Sequence, residues 1–155
     1  QYSFTEGEPR LREFIAARET AQGVPTKPEE VQIVSGSQQA LDLAARVFLD
    51  EGSRVLVENP TYLGALQAFR LAMPAFETLP ADAAGLNPAA INASVAGARF
   101  AYVMPTFANP TGLTMTEERR ALLADKAREY DFWLVEDDPY GELWYDKAPP
   151  KSLRT

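Results

Sequence analysis

The sequence predicts an α/β fold, a three-layer α/β/α arrangement around a mostly parallel, mixed sheet. Two observations predict it. Short apolar runs alternate with helix-period segments over most of the 155 residues, as they do where helices cover both faces of a parallel sheet. The unusual polar segments, 35–38, 58–62, 105–112 and 136–140, fall where those apolar runs end. In such sheets ligands gather at the carboxyl ends of the strands. The length suits one compact domain with a sizeable core, and no internal repeat or low-complexity stretch interrupts it.

Each element has its own signal. Leu11 to Ala17 reads as an amphipathic helix, entered through Pro9 and closed near Gly23. Val31 to Val34 reads as a short strand. Gly36-Ser37 turns into a helix over about Gln38 to Phe48, with Leu41, Ala44, Ala45 and Phe48 on one face. Arg54 to Val57 reads as a buried strand. Pro60 is expected to open the next helix, which carries Leu63, Leu66, Ala68 and Phe69. Phe76 to Leu79 reads as a strand, possible at an edge. Pro80 to Ala90 reads as a polar loop and Ala89 to Val95 as a short helix. Phe100 to Met104 is a strand stopped by Pro105. Thr114 with Glu117 resembles a capping box for a helix reaching Tyr130. Phe132 to Val135 is a last strand, running into Glu136-Asp137-Asp138-Pro139-Tyr140.

Composition removes several classes of chemistry. The net charge of −7 argues against nucleic-acid binding by this segment, which needs clustered Lys and Arg. With no Cys and no His, disulfides, thiolate metal sites, histidine bases and Ser-His triads are all excluded. No apolar run is long enough to span a bilayer.

The polar segments each admit two readings. A strand, a Gly-Ser turn and a helix start aim free backbone N–H groups and the helix dipole at one point, which suits a phosphate. Taken alone, the commoner role for Ser37 is to cap its helix. Asp137 could hold a protonated pyridine nitrogen by charge pairing, could join its acidic neighbours around a metal ion, or could belong to a solvated acidic turn. Asn109-Pro110-Thr111-Gly112 is a turn by composition, and the Asn109 amide could also bond a ligand oxygen. Tyr62 could stack on a flat cofactor or simply pack at the rim.

Together, Val34-Ser35-Gly36-Ser37-Gln38-Gln39-Ala40-Leu41, Glu58-Asn59-Pro60-Thr61-Tyr62, Pro105 to Gly112 and Glu136 to Gly141 resemble the fold-type I pyridoxal-phosphate (PLP) enzymes of aminotransferase class I/II. The subgroup that fits best holds 2-aminoadipate and kynurenine-type aminotransferases and the aminotransferase-like domains of MocR-type regulators. The resemblance runs in the family's order over nearly the whole chain. It implies that residues 1–155 form part of the PLP-binding large domain. It implies that Ser37 and Gln38 cup the cofactor phosphate, that Tyr62 stacks on the pyridine ring, and that Asn109 and Tyr140 bond the phenolic oxygen. It gives Asp137 the pyridine nitrogen and, with Tyr140, a catalytic role. Tyr2 matches a tyrosine that reaches the phosphate of the neighbouring subunit, which implies a homodimer. Gly7 and Leu11-Arg12 match the start of the large domain. The implied activity moves an amino group between an amino acid and a 2-oxo acid, in the cytoplasm. Ala108 departs from the pattern, which often has Gln before Asn109-Pro110.

The two ends read as cut. The family's Schiff-base lysine follows the Asp-Asp-Pro-Tyr segment in a Ser-Lys context, and none of Lys27, Lys126, Lys147 and Lys151 fits it. That lysine, the substrate-carboxylate arginine, the N-terminal tail and the small domain are expected outside 1–155, so this segment is expected to be inactive by itself. Two rivals share the resemblance: the ligand-sensing domain of a MocR-type transcriptional regulator, and another PLP reaction on the same scaffold.

Overall fold

The computed structural model describes residues 4–155. In chain order its helices are α1 (Pro9–Ala21), α2 (Ser37–Phe48), α3 (Leu63–Phe69) and α4 (Glu117–Tyr130). Its strands are β1 (Arg54–Val57), β2 (Ala75–Thr78), β3 (Ala81–Asp82), β4 (Gly85–Leu86), β5 (Phe100–Val103) and β6 (Trp133–Glu136). Four strands form a sheet in the order β2-β1-β5-β6. All its pairings are parallel, with Val57 opposite both Thr78 and Tyr102, and Val103 opposite Glu136. Antiparallel pairing is confined to the hairpin of β3 and β4.

Side chains alternate across the sheet, and each face has its own core. Val55, Val57, Phe100 and Tyr102 pack on α2 and α3 through Leu41, Ala45, Ala65 and Phe69. Phe69 meets Phe100 and Tyr102 edge-on, at 5.2 and 5.6 Å between centroids, a favoured aromatic geometry. Leu56, Ala101 and Val103 pack on the opposite side against Leu123 and Ala127 of α4 and against Phe132. This is the expected helix-sheet-helix layering. The central strand β5 is buried along its whole length, which explains its unbroken apolar run.

Several local expectations are corrected. Val31 to Val34 is extended but joins no strand. Ile33 instead donates its N–H to the Glu6 carbonyl at 2.9 Å and lies so close to Gly7 that a Cβ there would overlap its side chain. This extended segment therefore packs on the turn before α1. The helix after β1 begins at Leu63, not Pro60, because Tyr62 is its extended N-cap. The loop from Pro80 contains the small hairpin, with the Ala84 N–H on the Asp82 carboxylate. The region 88–95 forms two single 3-10 turns instead of one helix, each started by an asparagine side chain, Asn87 and Asn92. Helix α4 is capped by Thr116, whose hydroxyl accepts the Arg119 N–H. Thr114 is not the cap, because its hydroxyl accepts the Phe107 N–H at 3.2 Å.

Candidate functional site at the strand tips

Because β1, β5 and β6 run parallel, their carboxyl ends share one edge of the sheet. Glu58, just past β1, accepts the Met104 N–H at 2.8 Å, tying two tips together. Burial raises the Glu58 pKa, and that hydrogen bond only partly offsets the rise. Asp137, just past β6, donates its N–H to the Val103 carbonyl at 3.0 Å. Its Oδ2 accepts the Tyr102 hydroxyl at 2.7 Å. Tyr102 has no solvent exposure. Burial first, then the bond and charge of Asp137, push its pKa far above the ordinary phenol value, with further contributions from Tyr62 and Glu58. The phenol therefore stays a hydrogen-bond donor throughout the working pH range.

Tyr62 is half-buried, and its ring lies against Gly64, where any Cβ would overlap it. The Gln38 side-chain amide donates to the Gly64 carbonyl at 2.9 Å. That bond joins the start of α2 to the start of α3. Gly36, at φ 108°, is the N-cap of α2, and no side chain caps the helix. The capping role for Ser37 is thereby removed: it is the first helical residue and exposed. The Ser37 and Gln38 N–H groups bond no described residue, and a Cβ on Gly36 would meet open space. Free N–H groups at an uncapped helix start favour a negative charge.

The 105–112 loop turns back on itself through Ala108, which donates to the Leu113 carbonyl at 2.9 Å and accepts the Gly112 N–H at 2.6 Å. Ala108 packs on the same core as Tyr62 and Val135, which leaves Asn109 half-buried beside it. Tyr140 sits in a turn closed by the Gly141 N–H on the Asp138 carboxylate at 2.9 Å. It is exposed, and its hydroxyl bonds no described residue. Tyr2 lies outside the described residues.

The contacts thus join Gln38 to Tyr62 through Gly64 and Asp137 to Tyr102; Tyr62 packs on the core that contains Tyr102, Ser37 precedes Gln38 and Asn109 follows Ala108 in the chain. They do not join Tyr140 to the rest. A cavity of about 100 Å³ under the rim is lined by Glu58, Met104, Ala108 and Thr111 among others. A broad groove of about 1270 Å³ runs between α1, α4, β6 and the 149–155 segment. None of the six described site residues lines either one. The rim is an open shelf in this chain.

Sequence reasoning missed Glu58 as a half-buried acid, Tyr102, and the pair of Arg120 and Glu136. A signal existed for Tyr102: a hydroxyl inside an otherwise apolar buried strand needs a partner. Arg120 is 4% exposed. It donates to the carbonyls of Met115, Pro105 and Lys151 at 3.0, 2.7 and 3.1 Å and to the Thr106 hydroxyl at 2.9 Å. Its guanidinium also faces Glu136 Oε1 at 3.7 Å. Glu136 Oε2 accepts the Ser152 hydroxyl and the Leu153 N–H at 2.5 and 3.1 Å, fastening the last segment to the sheet.

The model of the family "Aminotransferase class I and II" matches residues 1–154. The chain belongs to that family. It is 47% identical to the 2-aminoadipate transaminase of Thermus thermophilus, over 99% of this chain and 38% of that protein. It is 34% identical to the HTH-type transcriptional regulator YisV of Bacillus subtilis, over 99% of this chain and 32% of that one. Among solved family structures, the kynurenine aminotransferase of Pyrococcus horikoshii, in complex with PMP, superimposes with a TM-score of 0.88 at 42% identity. That match covers 99% of this chain and 40% of the other. The chain therefore spans about a third to two fifths of the length of these relatives. None of its described helices is long and apolar enough to cross a membrane.

Proposed function

We propose that the whole protein carrying this chain is a PLP-dependent aminotransferase, and that residues 1–155 supply part of its cofactor-binding large domain. One observation carries the reading. On a single sheet edge stand an acid with one oxygen already fixed, Asp137, and a helix start with unused N–H groups, at Ser37 and Gln38. An anion donor set and a carboxylate at separate points of one rim fit a flat group that is phosphorylated at one end and basic at the other.

In this reading the Ser37 and Gln38 N–H groups and the Ser37 hydroxyl bind the phosphate. Gln38 contributes through its backbone, because its side chain is engaged with Gly64. The Tyr62 ring lies flat beside the pyridine. Asp137 holds a proton on the pyridine nitrogen by charge pairing. Asn109 and Tyr140 donate to the phenolic oxygen, and Tyr2 reaches the phosphate of a second subunit in a homodimer. PLP, when bound, supplies an electron sink for the α-carbon of an amino acid. The protein's own part is to fix the ring by its phosphate and to keep its nitrogen charged. The substrates are an amino acid and a 2-oxo acid, handled in two half-reactions.

The test uses the full-length protein with PLP. Its visible absorption band should shift on adding an amino-acid donor, with a 2-oxo acid formed in proportion, and Asp137→Ala should abolish the turnover. A band that moves with none of the twenty amino acids rejects the reading. The match to YisV favours a second reading, in which the domain senses a ligand for a transcriptional regulator. Specific retention of its own promoter DNA by the full-length protein, without 2-oxo acid release, would select it.

A further inference from the structure

Tyr102 is a buried titratable group to which the proposed reaction gives no task. Its hydroxyl ends on Asp137 Oδ2 at 2.7 Å, and Asp137 Oδ1 bonds no described residue. Its ring cannot swing away: it has no exposure and stands edge-on to Phe69, at 75° between planes. The Asp137 backbone is tied to the same strand, since its N–H bonds the carbonyl of Val103, the next residue of β5. A carboxylate held at its backbone and at one oxygen by adjacent residues of a buried strand keeps little torsional freedom.

We propose that Tyr102 is a positioning residue for the ring-nitrogen contact: its hydroxyl occupies Oδ2 of Asp137 and so commits Oδ1 to the cofactor. The inference rests on the reading of Asp137 given above. The hydroxyl suits this work because burial and the adjacent acid keep it protonated. It therefore donates at every working pH and never competes with Asp137 for the ring proton. A carboxylate free to rotate would present its oxygens to the nitrogen in many geometries, and a charge-assisted hydrogen bond weakens steeply off its axis.

The test compares Tyr102→Phe with wild type in the full-length protein. Two quantities are measured: the dissociation constant of PLP, and the pH midpoint of ring-nitrogen protonation, read from the ¹⁵N shift of labelled bound cofactor. The variant should bind PLP roughly 10-fold more weakly and lower the midpoint by about one pH unit. 4-Fluorophenylalanine at 102 fills the hydroxyl's volume without a donor and should give the same losses. 3-Fluorotyrosine, which restores a hydroxyl, should recover the wild-type midpoint. A midpoint that stays put or rises in both donor-less variants overturns the proposal, since a merely structural tyrosine would change thermal stability alone. Asp137→Ala separates the two layers. If it binds PLP like wild type, the ring-nitrogen reading itself falls. If it loses PLP while the donor-less variants do not, only the role of Tyr102 falls.

Discussion

Glu136 and Asp137 are consecutive acids at the tip of one strand, yet they face opposite sides of the sheet and do opposite things. Glu136 sits opposite Val103, on the α4 side. It is closed in by Arg120, Ser152 and Leu153. Asp137 points to the α2 and α3 side, takes one phenol, and keeps its other oxygen open. Both acids gain a partner from within the chain. Only one gains enough partners to be finished as a structural element. A nearly closed network holds a shape, whereas a half-closed one retains capacity for a ligand.

The sharpest way to break this comparison is at Arg120. Arg120→Met removes four described hydrogen bonds and leaves Glu136, whose side chain is 12% exposed, without its cation. We expect a loss of about 3–5 kcal/mol in urea unfolding. Glu136 Oε1 is already buried without a hydrogen bond, and burial raises its pKa despite the facing arginine. The double variant R120M/E136Q should therefore lose less than the sum of the two single variants. Strict additivity would show that the pair is not coupled. Tyr102→Phe, by contrast, should leave stability nearly intact and move cofactor properties.

How far the sequence reveals these two roles depends on which links are local. Helix α4 was read from its capping signal, whereas apolar runs identified β1, β5 and β6, and an apolar face identified α2, because burial periodicity is a property of the segment itself. It failed at Val31 to Val34, where an extended apolar run bonds Glu6 instead of the sheet. The capping signal failed at Thr114, whose hydroxyl is taken by a loop amide seven residues back. In both cases the deciding partner is not a near neighbour within the element. The site divides the same way. Tyr62, Asn109 and Asp137 were legible as polar residues following apolar strand runs, and Ser37 and Gln38 as the start of a helix entered through a Gly-Ser turn. Tyr102, Glu58 and Arg120 were not, since their meaning comes from what lies across the sheet, 35, 46 and 16 residues away.

Glu58 tests whether burial alone, without a cation, makes an acid behave like Glu136. Its pKa is raised by burial. A carboxyl raised in the folded state contributes stability that is complete below the unfolded value of about 4.3 and is lost as pH climbs through the folded value. Glu58→Gln keeps an acceptor for the Met104 N–H and removes the titration. The melting temperature of the variant should therefore gain on wild type between pH 4 and pH 8, and the gain should be smaller than the Arg120 loss, because one proton is involved. A constant difference across that range would mean that Glu58 is as solvated as a surface acid.

The smallest effect is expected on the α4 side, at Thr116. Its hydroxyl accepts the Arg119 N–H at 3.4 Å, a long bond at the mouth of the helix that carries Arg120. Thr116→Ala should cost roughly 1 kcal/mol in urea unfolding, the usual size of a lost N-cap. If the two faces of the sheet divide structural from ligand work, PLP affinity in the full-length protein should not change with it. The cap lies four residues before Arg120, and Arg120 holds the carbonyl of Pro105 at the start of the loop that carries Asn109. A loosened first turn could reach the ligand side only along that line. A weaker PLP complex in Thr116→Ala, at unchanged geometry around Asp137, would therefore show that the guanidinium transmits strain through the sheet, and that the closed face sets the position of the open one.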